Sequence, residues 1–114
     1  MDYFPMEQAG CGLLQPAGPL HADRAPDLDL AITRLMEEGC SRLVIDLSRA
    51  GMMSGACLDV LVAQAKTARR RRGLLALSGV PAHVFEMLED RRMATLFQIF
   101  ENDAKAARYF AAAG

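Results

Sequence analysis

Apolar and polar positions along the chain alternate between two rhythms. Arg42-Leu43-Val44-Ile45-Asp46-Leu47 is nearly continuous in apolar residues, and Gly73-Leu74-Leu75-Ala76-Leu77-Ser78-Gly79 repeats the pattern with a glycine at each end. Short unbroken apolar runs of this kind predict strands buried on both faces. Gly12-Leu13-Leu14-Gln15-Pro16-Ala17-Gly18 predicts a third strand. Pro16 has no N–H for a ladder, so this strand is expected to lie at an edge or to carry an interruption. Leu96-Phe97-Gln98-Ile99-Phe100 predicts a short final strand, and residues 1 to 8 hold another.

Helical spacing fills the intervals. Leu28, Ala31, Ile32, Leu35 and Met36 form one apolar stripe, with Pro26 suited to a first turn and Gly39 to a left-handed stop. A second helix places Leu58, Leu61, Val62 and Ala65 on one face and ends in Arg69-Arg70-Arg71-Arg72-Gly73. A third runs from about Pro81 to Asp90, with Val84, Phe85 and Leu88 expected inward. A fourth starts near Asn102, a suitable N-cap, and uses Ala106, Ala107 and Phe110. Strands and helices in alternation predict an α/β domain with a partly parallel sheet and right-handed crossovers.

Composition narrows the function classes. The 114 residues and 12.4 kDa amount to one domain. Hydrophobic residues at 52% exclude a disordered chain. Thirteen basic residues against 14 acidic ones give a net charge of −1, which argues against a generally cationic nucleic-acid binder. Trp is absent and aromatic residues are 6%, too few for a base-stacking platform. No apolar run approaches the roughly 20 residues of a membrane helix, so no membrane insertion is expected. Met1-Asp2-Tyr3-Phe4-Pro5 lacks the basic and apolar regions of a signal peptide. Cys11, Cys40 and Cys57 are odd in number and lack a CxxC spacing, which fits free thiols in a reducing cytoplasm.

Candidate chemistry is sparse. His21 and His83 stand far apart, neither beside a cysteine nor in an HExxH spacing, and read as surface or cap histidines. Cysteine and histidine spacings offer no metal cluster, and no glycine-rich phosphate motif is present, so no cofactor is implied. The four-arginine run complements the dipole at a helix C-terminus and is expected to be mostly solvated and to contribute little to partner choice, the alternative being an acidic partner docked there. Met52-Met53 precedes a helix start and reads as core packing or as an adaptable contact surface.

The stretch Leu43-Val44-Ile45-Asp46-Leu47-Ser48, followed by Met52-Met53-Ser54-Gly55-Ala56-Cys57-Leu58, resembles the STAS domain of anti-sigma-factor antagonists. That family shows a strand ending in Asp-Leu-Ser and, eight residues after this Asp, an Asp-Ser-Ser/Thr-Gly-Leu that opens a helix. Asp46 plus eight is Ser54 here. Leu75-Ala76-Leu77-Ser78-Gly79-Val80 looks like the family's next strand and turn. Leu96 to Phe100 with Glu101 looks like its last strand, and Gly18-Pro19-Leu20 like the residues closing its early hairpin. The resemblance covers about residues 12 to 110 and implies a single STAS-like α/β domain: four or five mixed strands with helices packed mainly on one side.

It also implies a site, and a departure from it. The family's phosphoacceptor is the serine directly after the motif's Asp, and that position is Gly55, which has no hydroxyl. Ser54, Ala56 and Cys57 replace the other helix-opening residues. Ser54 is one residue early for a phosphoacceptor and suits an N-cap better. The resemblance implies a non-enzymatic interaction module that binds an anti-sigma-factor kinase-like protein. The expected partner surface is Asp46, Met52, Met53, Ser54, Gly55, Ala56 and Cys57. The alternatives are an accessory subunit of a lipid-transport ABC system and a small-ligand-sensing STAS domain.

Overall fold

A computed structural model describes residues 1–7 and 9–113. Five strands form one sheet: β1 (Asp2–Pro5), β2 (Cys11–Gln15), β3 (Arg42–Asp46), β4 (Leu74–Ser78) and β5 (Gln98–Phe100). Their spatial order follows the chain, with β1 antiparallel to β2 and all later pairs parallel. Three helices make the parallel crossovers: α1 (Ala25–Glu37), α2 (Gly55–Arg70) and α3 (Ala82–Asp90). A fourth, α4 (Asp103–Ala113), follows β5.

This winding decides the layers. Each crossover steps to the next strand in the same direction, and crossovers share one hand, so α1, α2 and α3 fall on one face. Alternation along the strands confirms it. Leu43, Ile45, Leu75 and Leu77 pack with Leu28, Ile32, Leu58, Leu61, Val84 and Leu88 in the larger core. Val44 and Ala76 point the other way and meet Ala106 and Phe110 of α4 in a smaller one. A polar clasp also joins α1 to α2: Gln64 Nε2 donates to Asp29 Oδ1 at 2.8 Å and to Thr33 Oγ1 at 2.9 Å.

Three local expectations are corrected. The strand containing Leu13 and Leu14 is not an edge, because β1 pairs with its outer side. Pro16 lies just beyond β2, where its missing N–H costs the ladder nothing. Gly18-Pro19-Leu20 does not close the hairpin, which turns between β1 and β2. It instead runs beside the segment after β3, where Leu20 forms an isolated parallel bridge with Met53. Phe85 does not point inward but is 37% exposed, while Val84 and Leu88 are buried as expected.

The helix stops differ from one another. The residue two past the end of α1 is Gly39, with φ +102°. At the same place after α2 and α3 stand Arg72 (φ 61°) and Arg92 (φ 55°). A side chain in this left-handed region costs roughly 1 kcal/mol relative to glycine.

Candidate partner-binding site

The chain between β3 and α2 crosses the sheet at the C-terminal ends of its parallel strands. Two backbone bonds dock it onto the earlier loop: Leu20 N–H donates to the Met52 carbonyl at 2.9 Å, and Ser54 N–H donates to the Leu20 carbonyl at 2.8 Å. Met53 lies between these bonds. Its side chain is 4% exposed, whereas that of Met52 is 39% exposed. The adjacent methionines therefore divide the two roles open to them, one core and one surface. A third bond comes from α3: the Met53 N–H donates to His83 Nε2 at 3.1 Å.

Ser54 is the N-cap of α2. Its Oγ accepts from the Cys57 N–H at 3.2 Å, and its own carbonyl accepts the first helical bond, from Leu58. This geometry satisfies one of the free amides at the helix start and engages the Ser54 hydroxyl. Gly55 and Ala56 follow, half-buried. A Cβ placed on Gly55 would stand 3.1 Å from a guanidinium nitrogen of Arg91, at the end of α3. Arg91 also pairs with Asp59 in the second turn of α2. The first turn of α2 carries no acidic residue. The positive helix end and the Arg91 guanidinium thus share one neutral-to-basic surface.

Three of the expected surface residues are not there. Cys57 is fully buried, as its place before Leu58 on the inward stripe requires, and its thiol donates to the His21 carbonyl at 3.4 Å. Met53 is buried for the reason given above. Asp46 is 4% exposed and faces the α4 side of the sheet, away from α2. Strand alternation explains this, because Asp46 shares its face with Val44 and not with Ile45. The surface that remains is Met52, Ser54, Gly55 and Ala56.

Asp46 belongs to a second polar group, beneath the start of α4. Its Oδ2 accepts from Gln15 Nε2 at 2.7 Å and its Oδ1 from the Ser48 N–H at 2.9 Å. The latter closes a local turn and accounts for an Asp two residues before a Ser at a strand end. Ser78 Oγ donates to Asp103 Oδ1 at 2.5 Å, and Asp103 is hydrogen-bonded to Asp46. Burial opposes ionisation of Asp46, but hydrogen bonds from Asp103, Ser48 and Gln15 outweigh it and hold its carboxyl below the ordinary value. Burial and the bond to Asp46 push the Asp103 carboxyl up to about 6, against the Ser78 hydroxyl. Two carboxylates this close oppose each other's ionisation, so below about pH 6 the pair keeps one proton, on Asp103, and Asp46 carries the charge.

Residues 6–98 match the family described as "Mlab, STAS domain". The chain belongs to the STAS domain family. BtrV of Bordetella bronchiseptica, provisionally named an anti-sigma factor antagonist, is 29% identical over 93 residues, covering 82% of this chain and 80% of that one. The fold is similar to that of a Thermotoga maritima protein also provisionally so named, with a TM-score of 0.86 at 17% identity, covering 95% of this chain and 92% of that one. It is similar as well to the anti-sigma factor antagonist SpoIIAA in its unphosphorylated form, with a TM-score of 0.72 at 10% identity, covering 95% and 94%. This chain is thus a STAS domain similar to a provisionally named anti-sigma factor antagonist.

The family resemblance read from Leu43 to Leu58 therefore holds, as does the sheet with helices mainly on one side. Sequence reasoning missed Leu20, His83 and Arg91, which hold or flank the STAS helix start. His83 lies 30 residues from Met53, and no local pattern announces the contact.

Proposed function

We propose that this STAS domain is a partner-binding regulator that docks an anti-sigma-factor protein of the kinase type through Met52, Ser54, Gly55 and Ala56. Its binding state is not switched by phosphorylation at the helix start. One observation carries this reading: the position after Ser54 is a glycine, and the neighbouring Ser54 hydroxyl is engaged as the α2 cap. A phosphate there would bring roughly −1.5 to −2 charges to the contact surface. With Gly55, the surface keeps the uncharged form permanently and acts as a constitutive antagonist. Incubation with the cognate kinase and ATP, followed by intact-mass measurement, is expected to add no phosphate. A stoichiometric phosphate on Ser54 refutes the reading.

The family description favours one second reading. A match to a family named for Mlab supports an accessory role in a lipid-transport ABC system, with the same surface bracing a transporter subunit. Affinity capture from the native cell separates the two. An anti-sigma-factor kinase supports the first, and ABC ATPase or permease subunits support the second.

A further inference from the structure

From Val60 to Phe85 the chain contains no Asp or Glu, yet it carries Lys66, Arg69, Arg70, Arg71 and Arg72. All five are exposed along the outer face and end of α2, the arginines a helix length of ~24 Å from the Ser54 surface. The ion pairs among the described residues are Asp59–Arg91 and Glu101–Lys105, so none of the five is neutralised by an acid. Arg69 donates to the carbonyls of Thr95 and Leu96 at 3.1 and 3.0 Å. With Arg91 held at Asp59, these bonds lay residues 91–96 along α2.

Compensation of the helix dipole does not account for this much charge, since a helix C-terminus presents only about half a negative charge and four arginines gather at the end of α2. The backbone adds an independent observation. Arg72 and Arg92 occupy the left-handed helix-stop position that glycine fills after α1. Glycine is the low-cost residue there, so a guanidinium at Arg72, on the end of α2, points to use of its charge.

We propose that the arginine-rich end of α2 is a second docking surface, and that it takes an acidic segment of a protein partner. Guanidinium groups match carboxylates as planar, two-pronged donors. A membrane surface fits less well. The large exposed apolar side chains are Met1, Tyr3, Phe4, Leu30, Met52, Phe85 and Tyr109, and none lies on this stripe to enter a bilayer. Nucleic acid fits less well because no aromatic ring accompanies the cations.

The test uses the full chain and a fluorescent deca-glutamate peptide as probe, with a duplex oligonucleotide and phosphatidylglycerol vesicles in parallel. Wild type is expected to bind the peptide with an affinity that falls steeply with salt. The combined Arg70→Gln, Arg71→Gln, Arg72→Gln variant is expected to bind at least tenfold more weakly. Arg72→Gly gives a readout that a structural role would not: its Tm should rise while peptide affinity falls. That variant also keeps the test readable if the triple variant fails to fold. The proposal is overturned if wild type does not bind the peptide, or if it binds the oligonucleotide or the vesicles more tightly. It is also overturned if Arg72→Gly raises the Tm and leaves peptide affinity unchanged.

Discussion

The backbone amide of Met53 donates to Nε2 of His83 across 30 residues of chain. This bond ties the loop that leads into α2 to the first turn of α3, and it assigns the accepting nitrogen of the imidazole. Met53 itself is buried, so the bond also holds the exposed Met52 in place beside it. His83→Ala leaves the Met53 amide without this acceptor. Stability is expected to fall by about 1 kcal/mol in urea denaturation, and amide exchange at Met53 to speed up. Unchanged exchange at Met53 would show that the loop is held by Leu20 alone.

Ser54 is expected to act through its cap. Ser54→Ala removes the acceptor of the Cys57 amide and should cost about 1 kcal/mol, while Ser54→Asp should retain most of the stability. Equal stability of all three proteins in denaturant titration would refute the capping role.

Gly55→Asp should fold normally. A negative charge near a helix N-terminus is favourable by a few tenths of a kcal/mol, and Arg91 lies within reach of the new carboxylate. A partner fitted to an uncharged surface is expected to lose at least about tenfold in affinity, roughly 1.4 kcal/mol. Gly55→Ser should fold and bind. If Gly55→Asp folds and keeps full affinity for the captured partner, the contact lies elsewhere.

The Asp46–Asp103 pair makes stability depend on pH in a defined direction. Asp103 titrates at about 6 in the folded protein, above its ordinary 3.8, so the folded state retains a proton that the unfolded chain has lost. Stability therefore falls as pH rises from about 4 to about 6. Asp46 works in the opposite sense: its contribution is present above 3.8 and is lost as pH falls through its lowered folded value. Asp103→Asn keeps a donor for Asp46 and an acceptor for Ser78. It should flatten the slope between pH 4 and 6 and raise stability at pH 7 by about 1 kcal/mol, after discounting for partial exposure. Urea melts at three pH values check this, and a slope surviving in the variant would place the titrating group elsewhere.

Much of the architecture was legible in local pattern. The apolar runs at Leu43 to Leu47 and Leu74 to Leu77 mark buried parallel strands because both faces of such strands are covered. The stripe from Leu28 to Met36 marks α1, and Asn102 marks the start of α4, where its Oδ1 accepts from the Lys105 N–H at 2.9 Å. The eight-residue interval from Asp46 to Ser54 placed the helix start correctly, since a strand end, a loop and an N-cap are all near-neighbour features.

Tertiary structure decided what meets what. Asp46 reads from the chain as part of the helix-opening motif. Which face it takes depends on the register of β3, and whether that face is covered depends on α4, some 57 residues later in the chain. Phe85 fits the apolar spacing of α3 as well as Val84 does, yet it lies outside the width of the stripe that the sheet covers. The contacts of His83 with Met53 and of Arg91 with the Gly55 surface arise from how α3 and the chain after it lie against α2. Periodicity along a chain reports each element's own environment, one turn or one pleat at a time. The pairing of side chains from distant elements is set by packing, which no local pattern encodes.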